Sequence, residues 1–188
     1  ADMIEEVLWG RSPVRQETTD SCGGFVERDG ETFYRISNYD RMPPFFMTVV
    51  SGFDHWMFVS STGGMTCGRR DPENALFPYE TDDRIHDADA TTGPRTILLV
   101  RRGGQLFLWQ PFAREAPVYE IERNLLKNLA GNRLVFEAIN HGLGLVFSCE
   151  WSTSDRFGFV RKSTIGNAGE AEARIELLDG LRNLLPYG

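Results

Sequence analysis

Between Arg69 and Asp89 the chain gathers its densest set of groups able to do chemistry. Arg69, Arg70 and Arg84 carry guanidinium forks that grip carboxylate or phosphate through paired hydrogen bonds. Asp82, Asp83, Asp87 and Asp89 surround His86, a set that can hold a hard metal ion or hydrogen-bond sugar hydroxyls. The EF-hand spacing is missing, because neither its central glycine nor its terminal glutamate is in place. The plain alternative is a solvated charged loop held by its own ion pairs. From this segment Arg69, Arg70, Glu73, Tyr79 and Asp82 are the expected ligand or partner contacts. The charged groups would act as polar anchors and Tyr79 would offer a stacking face.

Other constellations are weaker. His55, His86 and His141 are scattered, and no HExxH or CxxC occurs, so no metal site is expected. A Ser-His-Asp set has no GxSxG elbow to support it. Gly63, Gly64 and Gly68 lack the GxxxxGK[ST] of a phosphate loop. Trp9, Trp56, Trp109 and Trp151 can stack on sugar rings, but the last three sit in strand-like runs where core packing is the default. No catalytic residue and no cofactor is expected of this chain.

The elements that must position these groups read as strands. From Val118 to Pro186, short β-rich runs alternate with turn residues: 119–125, 134–140, 145–152, 157–165 and 173–178. Upstream, 25–28 and 31–36 flank Asp29-Gly30, the clearest hairpin signal, since Asp-Gly suits a two-residue turn with positive φ. Runs at 46–51, 56–60, 96–101 and 106–110 follow the same pattern, and the pattern lapses over 69–94. Long irregular segments in compact domains are often functional, and Phe77 and Tyr79 argue that this one is packed. Short helices are expected only at Ile4 to Trp9 and at Asp71 to Leu76, where Asp71 can cap and Pro72 can open the turn. The sum is an all-β, antiparallel sandwich, one domain over residues 1–188.

Composition narrows the function classes. The net charge of -7 argues against a general nucleic-acid binder, which needs clustered Lys and Arg. No run approaches the roughly 18 apolar residues of a spanning helix, so no membrane partner is expected. The three cysteines, Cys22, Cys67 and Cys149, are odd in number and far apart, which suits free thiols in a reducing, cytoplasmic setting. The N-terminal residues lack a signal-peptide pattern.

Two stretches resemble a known family. Trp56-Met57-Phe58-Val59-Ser60-Ser61-Thr62-Gly63-Gly64-Met65-Thr66, followed by Gly68-Arg69-Arg70-Asp71, is similar to the N-terminal β-sandwich region of cellobiose-phosphorylase-like proteins. Phe157 to Asn167 and Leu178 to Pro186 resemble later strands of the same supersandwich, a galactose-mutarotase-like architecture. The resemblance implies a non-catalytic module at the N-terminus of a larger carbohydrate-active protein, a glycoside phosphorylase or hydrolase. The reaction would belong to a downstream helical barrel of the same chain, and the native product would continue past Gly188. Asp71 to Tyr79 departs from true cellobiose phosphorylases, which weakens the case for disaccharide phosphorolysis. The expected partners are that catalytic domain, a carbohydrate, and a second copy in a homodimer. Two alternatives stand beside this reading. One is a stand-alone mutarotase-type epimerase, with His86 or His141 and Glu137 or Glu150 as acid and base. The other is a ligand-free interaction or dimerisation module.

Overall fold

A computed structural model describes residues 7–8, 20–113 and 119–185. Its strands are β1 (Val7–Leu8), β2 (Cys22–Arg28), β3 (Glu31–Ser37), β4 (Phe46–Thr48), β5 (His55–Ser60), β6 (Met65–Arg69), β7 (Gly93–Arg102), β8 (Gln105–Trp109), β9 (Ile121–Asn128), β10 (Arg133–Asn140), β11 (Leu145–Ser154), β12 (Gly158–Asn167) and β13 (Arg174–Arg182). No α-helix occurs among the described residues, and no helix there is long and apolar enough to cross a membrane.

The strands form an antiparallel β-sandwich. A six-stranded sheet runs β12-β11-β10-β9-β3-β2, a four-stranded sheet runs β1-β8-β7-β13, and a three-stranded sheet runs β4-β5-β6. Every neighbouring pair is antiparallel except β1 with β8, where Val7 faces Leu106 and Leu8 faces Phe107 in parallel. The helix expected at Ile4 to Trp9 is therefore corrected at its two described residues, which are strand; its other residues lie outside the described ones. At Asp71 to Leu76 only a one-turn 3-10 helix forms, over Pro72–Asn74. Asp71 does cap it, its side chain accepting from the Asn74 N–H at 3.1 Å.

Turn chemistry sets the registers. Asp29 and Gly30 both take positive φ, 52° and 77°, the requirement of a two-residue hairpin whose twist matches its strands. Gly103 and Gly104 do the same between β7 and β8, at 59° and 77°. With the registers fixed, alternation sorts the faces. On β10, Leu134, Phe136 and Ala138 enter the main core, while Val135 points to the opposite face. The main core also takes Met57, Val59, Met65 and Cys67 from the three-stranded sheet and Leu98, Val100 and Trp109 from the four-stranded one. Trimming any of these side chains leaves a void; Leu134→Ala, for example, costs about 3 kcal/mol.

The reverse face of the six-stranded sheet carries a small second cluster of Phe33, Leu126 and Val135. Arg133 covers it, its guanidinium lying 5.2 Å from the Phe33 ring centroid. Glu150 holds that guanidinium in two bonds of 2.8 and 3.0 Å, and Asp29 approaches at 3.3 Å. The long side chain thus lays apolar stem on the cluster and keeps its charge paired.

On the other side of the sandwich, β12 and β13 end their sheets and face one another. Arg161 of β12 meets Asp179 of β13 through two bonds of 2.7 Å. Ser163 and Thr96 each donate to the same carboxylate at 2.7 Å, and Arg161 Nε reaches Cys149 Sγ at 3.1 Å. Burial alone would raise the Asp179 pKa; the bonds from Arg161, Ser163 and Thr96 outweigh it and hold the carboxyl below its ordinary range.

This pairing makes two predictions. The side chains keep 11% and 16% exposure, so Asp179→Ala should cost about 2 kcal/mol, below the 3–5 of a fully buried pair, in urea unfolding. Because the folded pKa is depressed, the stabilisation is complete above roughly pH 4 and drains away as pH falls through the folded value. Asp179→Asn should flatten that acid limb of the stability curve.

Candidate functional site

The segment after β6 lies flat on the sandwich because two residues lack side chains. A Cβ on Gly68 would stand 2.6 Å from both Asn74 O and Trp56 Cζ2, and one on Gly64 would strike the Ile85 carbonyl. Gly68 forms a β-bridge with Ala75. Phe77 and Ile85 then plug into the protein at 2% and 0% exposure, so the segment is packed as its aromatic content implies.

Its charged groups separate. Arg69 NH2 reaches Asp54 Oδ1 at 3.2 Å and Arg70 Nε reaches Asp54 Oδ2 at 3.2 Å. Arg70, and after it Arg69, holds the Asp54 carboxyl below its ordinary range. Glu73 sits exposed on the one-turn helix. Tyr79 is 51% exposed and meets Trp56 edge-on at 5.9 Å. Asp82 is exposed, its carboxylate accepting from the Asp83 N–H at 3.1 Å. Of the five expected contacts, only Arg69 and Arg70 are brought to a common partner. His86 is pinned, Nδ1 to Ser60 Oγ at 2.7 Å, and its carbonyl accepts from Thr62 Oγ1 at 2.9 Å. Among the described residues no group of three or more His, Cys, Asp or Glu comes together in a geometry that could hold a metal ion.

The far end of the segment leads to a larger feature. Asp87, Asp89 and Ala90 line a cleft of about 1160 Å³ between the sheets. Phe136 of β10 with Cys149 and Trp151 of β11 line it from the core face of the six-stranded sheet. Pro94 and Thr96 of β7, Gln110 and Phe112 just past β8, and Ser61 to Gly63 form further walls. Three carboxylates, Asp40, Asp87 and Asp89, and three guanidiniums, Arg95, Arg123 and Arg182, complete it.

Two of those arginines are structural. Arg123 donates to Asp40 Oδ2 at 3.1 Å, to Ala113 O at 2.9 Å and to Pro111 O at 3.4 Å. Arg182 donates to Asp89 O at 2.6 Å and Ala90 O at 2.7 Å, and its Nε is buried with no partner. Gln110 Oε1 is likewise buried and unpaired. Burial pushes the Cys149 thiol up to about 11, so the thiolate needed of a nucleophile is scarce near neutrality. Burial also raises the Tyr39 hydroxyl, which stays protonated and able to donate. The cleft thus sets fixed polar groups against walls whose aromatic members, Trp151 and Phe136, are nearly buried.

Sequence reasoning reached Asp87 and Asp89 but missed Asp40, Gln110, Arg123 and Arg182. These come from four separate parts of the chain and carry no shared local pattern. Of the histidines and acids weighed for epimerisation, His86 and Glu150 are committed elsewhere, while His141 and Glu137 touch one polar cluster. His141 Nε2 stands 3.8 Å from Glu122 Oε2 on the reverse face of the six-stranded sheet, and Asn124 Nδ2 donates to both Glu122 and Glu137 at 2.9 and 3.1 Å. Glu150 is committed to Arg133. No protein-family model matches the chain, and no curated protein matches it.

The two sets of arginines should behave differently on truncation. Arg123→Ala leaves two carbonyls and Asp40 without their donor and should cost about 1–3 kcal/mol in urea unfolding. Arg69→Ala removes an exposed pair and should leave the unfolding midpoint unchanged.

Proposed function

We propose that this chain is a non-catalytic sandwich module, of the mutarotase-type supersandwich kind, within a carbohydrate-active protein. It would support a catalytic barrel and contact sugar. The observation that carries the reading is the open side of the sandwich. β13 is the last strand of its sheet, and its Leu177, Leu178 and Leu181 are 47%, 66% and 41% exposed. β12 ends the facing sheet, with Phe157 71% exposed at its start. Long edge strands that expose apolar side chains are normally blunted or covered, because their free backbone groups template further pairing. Further chain laid against β12 and β13 would cover these leucines and extend both sheets. Absent that chain, a second copy would serve, which accommodates the expected homodimer. The three free thiols support a reducing compartment.

The charged segment fits the same role. Arg69, Arg70, Glu73, Tyr79 and Asp82 form part of the outer surface, where a partner domain or a sugar can meet them.

The test has two arms. The purified chain should self-associate by light scattering, and Leu178→Lys with Leu181→Lys should abolish this without loss of the fold by circular dichroism. Saccharide turnover by the purified chain would sink the non-catalytic reading. A second reading, the epimerase, is favoured by one observation: the approach of His141 to the Glu122–Asn124–Glu137 cluster. Its signature would be faster exchange of glucose or galactose anomers in NMR, removed by Glu137→Gln.

A further inference from the structure

We infer that a smaller groove, apart from the cleft, binds a small apolar monocarboxylate, with its head on Lys127 and its hydrocarbon body along the walls. The inference is independent of the carbohydrate reading and of the edge strands that carry it.

The groove lies among β3, β9 and β4 and holds about 390 Å³. Tyr34 and Ile36 of β3, Met47 of β4, Phe45 before it and Leu129 after β9 give it apolar walls. Leu129 and Tyr34 stand 69% and 43% exposed, so this apolar surface is open to a ligand. Backbone bonds fix the walls relative to one another. The Val50 N–H, just past β4, donates to Gly131 O at 2.8 Å, and the Gly131 N–H donates to Asn128 O at 2.9 Å. Gly131 takes a φ of 74°, and a Cβ there would press on Val50 Cγ2 at 3.2 Å. At the other end Gly23 leaves room for the Tyr34 ring to lie over β2, where Phe25 meets it edge-on at 5.2 Å. A concave, apolar and preformed space of this size suits a small molecule.

Charge selects the head group. Lys127 is the only charged residue lining the groove. It sits opposite Tyr34 across the sheet, and its stem passes the Gly131 turn. No described residue answers its ammonium, and burial lowers its pKa. Every partly covered arginine of the same sheet is treated differently. Arg28, Arg35, Arg123, Arg133 and Arg161 each meet an aspartate or glutamate. A lone cation among apolar walls is complemented by one negative charge carried on an apolar body. A single ammonium under-compensates a dianion, which the net charge of -7 also repels more strongly. A carboxylate meets both conditions.

The probes are octanoate, its neutral counterpart octanol, the shorter hexanoate, and acetate as a head group alone. In the full chain, calorimetric titration should give octanoate a Kd of about 0.1 mM. Octanol should bind about fivefold more weakly, for want of the ion pair. Hexanoate should lose about tenfold, because two methylenes go unburied. Acetate should give no heat. The Met47 methyl resonance should shift with octanoate and with octanol. Lys127→Met keeps an apolar stem, so it should erase the preference for octanoate and leave octanol unchanged. Leu129→Glu, at an exposed position, should weaken octanoate more than octanol with the fold intact by circular dichroism. A preference that survives Lys127→Met, a silent Met47 methyl, or no binding of octanoate overturns the proposal. If Leu129→Glu instead abolishes self-association in light scattering, the groove is a contact between copies of the chain and the proposal falls.

Discussion

The bond between Arg161 and Asp179 decides the geometry of this sandwich at its weakest side. Through the main core the two large sheets are joined by apolar side chains, which tolerate small slides. Here the terminal strands are joined by two parallel hydrogen bonds with a fixed fork geometry. Its satellites reach inward. Thr96 and Cys149 both contact the pair, and both line the cleft. The spacing of the sheets at the edge therefore sets the position of one wall and part of the floor of the candidate site. The pair also carries the cost of its own desolvation, so its value lies as much in fixing the edge strands' alignment as in net stability.

The six-stranded sheet divides its work between two faces. One face is dry and supplies the floor of the cleft. The other is neither bare nor covered by a second layer. Arg133 roofs a three-residue apolar cluster, and Asn124 and Asn128, at 0% and 6% exposure, knit neighbouring strands through their amides. A network of that kind is strong only while every member is paired. Asn124 Oδ1 is the exception, buried without a partner beside two carboxylates. That face concentrates polar groups for a reason that differs from the cleft's: it replaces a packing layer.

Much of the architecture was legible in the sequence. Asp29-Gly30 announced its hairpin because only residues tolerant of positive φ suit that turn, and short β-rich runs between turn residues marked β9 to β13. The strand Met65–Arg69 escaped notice for a physical reason. Its first four residues are all buried, so the polar beat that marks a half-exposed strand is missing. Val7–Leu8 is too short to show any period, and its parallel partner lies about a hundred residues away. The cleft was less legible than the fold. Arg123 reads as one cation in an alternating strand, and nothing in its neighbours signals that it meets Asp40. The charged segment was conspicuous, yet its arginines are largely answered by Asp54, a residue outside it.

Gly64 and Gly68 reverse the apparent ranking of that region. Most of the segment's charged side chains before Asp87 lie outward, Arg69 and Arg70 on Asp54, so their identities can change with little structural consequence. The two glycines contribute only hydrogen atoms, and those hydrogens are what the backbone of residues 74–85 rests upon. On these contacts the loud letters of this stretch are the replaceable ones. The quiet pair sets the clearance, and a single methyl at either would lift the whole strip, with Asp87 and Asp89 at its end, off the body of the protein.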